Sequence, residues 1–155
     1  MSMHKDQGDN ILLLRKQIDA HDVRRVAARW SARMAQVGDH DDLLEAAAMS
    51  GDTAMGFFDD FAKTFDVNMD GYLWYFHTQE DGVNIGAYFF APPNKYVHRL
   101  PITLDQLANF ASRGRWVYAY PNHDVPSIRK DKWFNRGLMV IGGLALLRYF
   151  GLAIW

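Results

Sequence analysis

Asp66, Asn68 and Asp70, followed by Gly71, stand where an EF-hand calcium loop places its first three oxygen ligands and its turn glycine. The twelfth place of such a loop needs a bidentate glutamate, and His77 occupies it. Imidazole nitrogen is a poor ligand for a hard cation, so calcium at Asp66, Asn68 and Asp70 stands as an alternative reading and no metal is expected. Three His-Asp dipeptides occur, at His21, His40 and His123 with the aspartate that follows each. Adjacent residues do not face one another on a helix, so a dipeptide alone builds no metal centre. Asp59 and Asp60 are neighbours for the same reason and do not converge as an acid and base pair. There is no Gly-rich phosphate loop, no GxSxG elbow and no HExxH pattern. The absence of cysteine removes thiol catalysis, disulfides and thiolate zinc sites. The expectation is a protein that is not an enzyme and carries no cofactor.

Charge is distributed unevenly along the chain. The formal net charge of -1 is the sum of about +3 over residues 1–36, -10 over 37–82 and +6 over 83–155. Phosphates would be repelled by the acidic centre, so the pattern disfavours nucleic acid and favours a basic protein surface as partner. With 49% hydrophobic residues the chain can bury a real core.

The elements that must position these residues follow from periodicity. Val23, Val26, Trp30 and Met34 recur at helical spacing, which predicts a helix through Met34 with Arg24, Arg25, Arg29 and Arg33 on a solvated basic face. Residues 43–49 read as one or two helical turns. From Asp52 onward Ala54, Phe57, Phe58, Phe61, Ala62 and Phe65 repeat at three and four, so this helix turns an aromatic face to the core and leaves Asp59, Asp60 and Lys63 opposite. Residues 72–77 and 83–90 are rich in aromatic and β-branched side chains and flank Gly82, which predicts a β-hairpin. Thr103 and Gln106 form a capping box for a helix over 104–113 that Gly114 closes. Trp116, Tyr118 and Tyr120 suggest a short extended run.

Residues 137–155 hold a single charge, Arg148, and as helix would span roughly 28 Å, close to a bilayer's hydrocarbon thickness. Arg129, Lys130, Lys132 and Arg136 precede them, and Trp133 and Trp155 would mark the two interfaces. The expectation is a C-terminal transmembrane helix, with Arg148 snorkelling outward and the globular part at the cytoplasmic face of a bacterial inner membrane. The alternative is a core helix of a cytoplasmic protein. Three regions result: a basic amphipathic helix region over 1–36, a central domain over 37–128, and a basic flank with the anchor helix over 129–155.

Residues 42–66, an acidic loop, then Gly51-Asp52-Thr53, then an amphipathic helix ending in Phe65-Asp66, resemble the core of acyl carrier proteins. The longer stretch 51–121, with FDVNMDGYLWYF and LPITLDQLANFASRGRW, is similar to the bacterial domain of unknown function 1493 family, grouped with carrier proteins and commonly bearing glycine at the attachment position. The resemblance implies an α+β, mainly helical fold: an acyl-carrier-like helical core with the hairpin inserted. It puts Gly51 at the attachment position. Glycine has no hydroxyl to attack the coenzyme A pyrophosphate, so phosphopantetheine is not expected there, and modification of Ser50, one residue early, is the alternative. What is left is an interaction module offering Asp52, Asp59 and Asp60 to a basic partner.

Overall fold

The computed structural model describes residues 17–151. Five α-helices are formed among them: α1 (Ala20–Ala27), α2 (Leu43–Ala46), α3 (Gly51–Phe65), α4 (Leu104–Arg113) and α5 (Lys130–Tyr149). Short 3-10 turns at Ala32–Gln36, Trp74–Phe76, Ile85–Tyr88 and Pro93–Lys95 link them. The described chain divides into two units, residues 17–81 with Arg99–Pro121, and Gly82–His98 with 122–151.

The core of the first unit is built as the periodicity of α3 requires. Ala54, Phe57, Phe58 and Phe61 are buried with Val23, Val26 and Ala27 of α1 and Leu104, Leu107, Phe110 and Ala111 of α4. Ring pairs Phe57–Phe58 at 5.1 Å and Phe58–Trp116 at 5.7 Å, the latter edge-on, extend this face beyond simple area burial. The capping box forms: the Gln106 amide donates to the Thr103 hydroxyl at 3.2 Å and the Thr103 amide to the Gln106 side chain at 3.0 Å. Gly114, at φ +67°, closes α4.

Helix α1 stops at Ala27, short of the predicted Met34. Ser31 diverts the chain, accepting from the Arg33 amide and donating to the Ala47 carbonyl at 2.5 Å. Arg24 is no solvated charge: its guanidinium donates to the carbonyls of Met34 and Val37 and pairs with Asp39 at 2.6 Å, clamping the segment that follows the turn. Residues 1–16 of the predicted basic region lie outside the described residues.

The predicted β-hairpin is not formed, and no strand exists among the described residues beyond an isolated parallel bridge between Asn68 and Arg115. Gly82 does turn the chain at φ +92°. The backbone donors on either side are used locally, however: Phe76 to Leu73, His77 and Thr78 to Trp74, Phe89 and Phe90 to Gly86. Amides bonded three and four residues back have nothing left for a ladder. The fold is mainly helical rather than α+β.

The predicted transmembrane helix is also overturned. No helix among the described residues is long and apolar enough to cross a membrane. The first two turns of α5 carry Lys130, Asp131, Lys132, Asn135 and Arg136, and Gly151 at φ +68° follows its end. The uncharged part therefore runs only from Gly137 to Leu147, well short of the roughly 20 residues a bilayer requires. Trp155, the expected second interface marker, lies outside the described residues. Nor does α5 lie in a core, because Met139, Ile141, Leu144 and Phe150 are exposed.

In the second unit the polar start of α5 is locked onto the Ile85–Tyr88 turn. The buried Asp131 carboxylate accepts from Arg129 at 2.6 and 2.9 Å and from Asn84 at 2.9 Å, and the Arg129 guanidinium holds it far below the usual carboxylate range. Asn135 accepts from the Gly86 amide at 2.7 Å, and Phe134 packs against Phe89.

Candidate functional site

Helix α3 begins at a crowded junction. Ser50 is its exposed N-cap but makes no capping bond of its own to the helix. The anion that caps this end comes from Asp81, whose carboxylate accepts from the Asp52 amide at 3.2 Å and from the Ser50 hydroxyl at 3.3 Å. A helix start offers free amides and a positive dipole end, and here the chain's own carboxylate takes that position. Gly51 lies directly beneath it, at φ +45°, and a Cβ at Gly51 would sit 1.9 Å from the Asp81 carboxyl carbon. Its amide donates to the Gln79 carbonyl at 3.0 Å and the Thr78 hydroxyl at 3.1 Å. Glycine at the expected attachment position thus makes room for an internal cap.

Beside this junction is a cleft of about 440 Å³, floored by Leu44, Ala48 and Met49 and edged by Ser50, His77 and Arg99. Arg99 donates through Nε to the His77 carbonyl at 3.1 Å and through Nη1 to Asp42 at 2.5 Å and Glu45 at 3.4 Å. Ala48 is held in the left-handed region at φ +51°, which costs a non-glycine residue about 1–2 kcal/mol. Because Ala48 is exposed and loses little packing, Ala48→Gly is expected to raise stability by about 0.5–1 kcal/mol, seen as a later denaturant midpoint at unchanged slope.

His77 is fully buried, and its protonation state follows from its neighbours. The Tyr120 hydroxyl lies 3.2 Å from the Leu73 amide, 2.9 Å from Trp116 Nε1 and 2.8 Å from His77 Nε2. Two N–H donors fill its lone pairs, so its own proton goes to Nε2. Nδ1 then carries the ring proton and donates to the Leu100 carbonyl at 3.0 Å. Burial pushes the imidazole down to about 4 against the lesser pull of the Leu100 bond, so the ring is neutral. With both nitrogens engaged it has no free lone pair to act as a general base toward Ser50. Tyr72 stacks on it, its planes within 9°, and burial raises the Tyr72 hydroxyl well above its ordinary value.

The acidic residues of α3 divide into two groups. Asp60 is turned inward, 3.0 Å from Arg29 and accepting from Trp30 Nε1 at 2.9 Å. Asp52 and Asp59 are exposed and make no ion pair with a described residue; separated by seven positions, they share one flank with the exposed Met55 between them. At the calcium-like loop Asp66 caps α3 in the left-handed region, and Asn68 accepts from the Asp70 amide at 2.7 Å while its amide donates to the Asp70 carboxylate at 3.0 Å. Those oxygens serve a local Asx turn. Among the described residues no group of three or more His, Asp or Glu side chains gathers to hold a metal ion.

Asp81, Arg99 and the Tyr120 hydrogen bond to His77 were not legible beforehand, since their partners lie 20 to 50 residues away in the chain. The chain matches no protein-family model, no curated protein and no solved structure.

Proposed function

We propose that this protein is a non-enzymatic, carrier-protein-like interaction module that docks a basic protein surface along the outer flank of α3. The observation that carries this reading is the division among the acids. Asp52 and Asp59 are exposed on one flank with Met55, whereas Asp60, expected to join them, is held by Arg29 and Trp30. Seven residues of helix separate the two free carboxylates by roughly 10 Å, a spacing that two lysines or arginines about two turns apart on a facing helix would match. Met55 supplies a flexible apolar contact between them. Attraction of this kind steers association and weakens with salt.

The alternative of phosphopantetheine on Ser50 has the Asp81 carboxylate against it: a phosphodiester on that hydroxyl would meet a negative charge 3.3 Å away.

Zero-length carbodiimide crosslinking in extracts of the native cell tests the docking reading, because it joins a carboxylate to a lysine in direct contact. A crosslinked species mapping to Asp52 or Asp59 is expected, and it should disappear in the double charge reversal D52K/D59K and persist in D60N. Crosslinks that avoid α3, or that survive D52K/D59K, would end this reading.

A further inference from the structure

The flank on which α3 offers Asp52 and Asp59 is bordered by a tryptophan. Gly56 stands in the interior of this helix, where glycine is a poor choice on propensity alone. The place of its missing side chain is taken by Trp30, since a Cβ at Gly56 would sit 2.3 Å from both Cη2 and Cζ3 of the indole. Gly56 is a seat for a ring brought in from the turn that follows α1.

The ring is also held at its polar edge. Trp30 Nε1 donates to Asp60 at 2.9 Å, and Asp60 is fixed in turn by Arg29 at 3.0 Å and by the Thr64 hydroxyl, which donates to it at 3.4 Å. Anchored at two points, Trp30 still keeps 37% of its surface exposed. Asp52 precedes Gly56 by four residues and Asp59 follows it by three, so the two exposed carboxylates adjoin the seat of the ring on the turn before it and the turn after it. Met55 borders them on the side away from Trp30. Lys63, a turn beyond Asp59, offsets only one of the two charges.

An indole beside exposed carboxylates attracts a cation twice over, through the ring quadrupole and through charge. Lysine and arginine are not equivalent there. An ammonium is compact and strongly hydrated, whereas a guanidinium is planar and weakly hydrated, and it can lie on an aromatic ring while its in-plane N–H groups bond a carboxylate.

We propose that Trp30 selects arginine: the docking residue of the basic partner is an arginine whose guanidinium stacks on the Trp30 ring and pairs with Asp52 or Asp59. This rests on the docking reading of α3 and adds the identity of the cation its flank prefers, leaving the second carboxylate to a lysine of the same partner.

Calorimetric titration of the full chain at low salt tests it with two synthetic probes, an alanine-rich helical peptide carrying two arginines about two turns apart and its lysine twin. The arginine peptide is expected to bind about fivefold more tightly. In Trp30→Met, which keeps an apolar side chain but removes the ring, that ratio should fall to about one while the lysine peptide binds as before. Gly56→Ala makes the same test with the ring retained, because the new methyl pushes it from its seat while favouring helix, and the ratio should shrink again. Equal binding of the two peptides by the wild type, lost in D52K/D59K, overturns the role of Trp30 and leaves the docking reading in place. A preference for arginine that persists in both Trp30→Met and Gly56→Ala overturns it as well. Binding of neither peptide overturns the docking reading and this inference together.

Discussion

Replacing Gly51 by serine, the residue a carrier protein would need there, is expected to destabilise the protein by about 2–4 kcal/mol. Two causes add. A non-glycine residue at φ +45° carries about 1–2 kcal/mol of backbone strain. The new Cβ would also overlap the Asp81 carboxylate, which must leave the start of α3 and give up its bonds to the Asp52 amide and the Ser50 hydroxyl. Asp81→Ala alone is expected to cost about 1 kcal/mol, the usual value of a lost helix cap. The double variant G51S/D81A should cost less than the sum of the two by about 1 kcal/mol or more, because removing the carboxylate removes the collision. Chemical denaturation of the four proteins closes the cycle; strictly additive losses would show that Gly51 and Asp81 do not contend for the same space. Intact mass after coexpression with a phosphopantetheinyl transferase should stay unchanged for the wild type, as the proposed function requires.

The second large effect concerns pH. His77 is neutral in the fold with its pKa near 4, against 6.5 for an unperturbed histidine, so the unfolded chain binds a proton in a range where the native state does not. A histidine with a depressed folded value contributes stability that is fully present above about 6.5 and is lost as pH falls toward 4. The linkage amounts to about 3 kcal/mol between pH 7 and pH 4. Protonating Nε2 would also set two protons against each other where the Tyr120 hydroxyl now donates. Denaturation midpoints across this window should therefore slope steeply for the wild type. His77→Gln is expected to be less stable at pH 7 and nearly flat from 6.5 to 4.5; a slope unchanged by the substitution would assign the acid sensitivity to other groups. The Asp131 carboxylate acts lower, its contribution being present above the ordinary carboxylate value and lost only as pH drops well beneath it.

Parts of this fold are written locally and were legible in the chain. The three- and four-residue repeat of Ala54, Phe57, Phe58 and Phe61 buries as its period demands, and Thr103 with Gln106 caps α4 as their spacing predicts. The turn glycines Gly82 and Gly114 adopt the positive φ expected of them. Aromatic and β-branched content misled where stacking competed with pairing. Tyr72, Phe76 and His77 pack with Trp116, Tyr118 and Tyr120 as a layer of rings, and the backbone beneath them coils into a 3-10 turn. The apolar run of the tail was also misjudged: among the described residues α5 spends its first two turns on polar side chains and ends at Tyr149, so no helix there is long and apolar enough to cross a membrane.

By itself the sequence determined α3 and α4, the buried faces of these two helices and the concentration of negative charge between residues 37 and 82, since each depends on composition or on neighbours within a turn or two. The tertiary structure alone decided which of those charges stay free. Asp60 is consumed by Arg29 and Trp30 across the gap between α1 and α3, Asp81 returns from thirty residues away to cap α3 over Gly51, and His77 loses its proton to burial. Contacts between distant segments leave no period in the chain, and electrostatic energies depend on distance and burial rather than on order along it. Asp52 and Asp59 remain outward for the same reason: no described residue forms an ion pair with them.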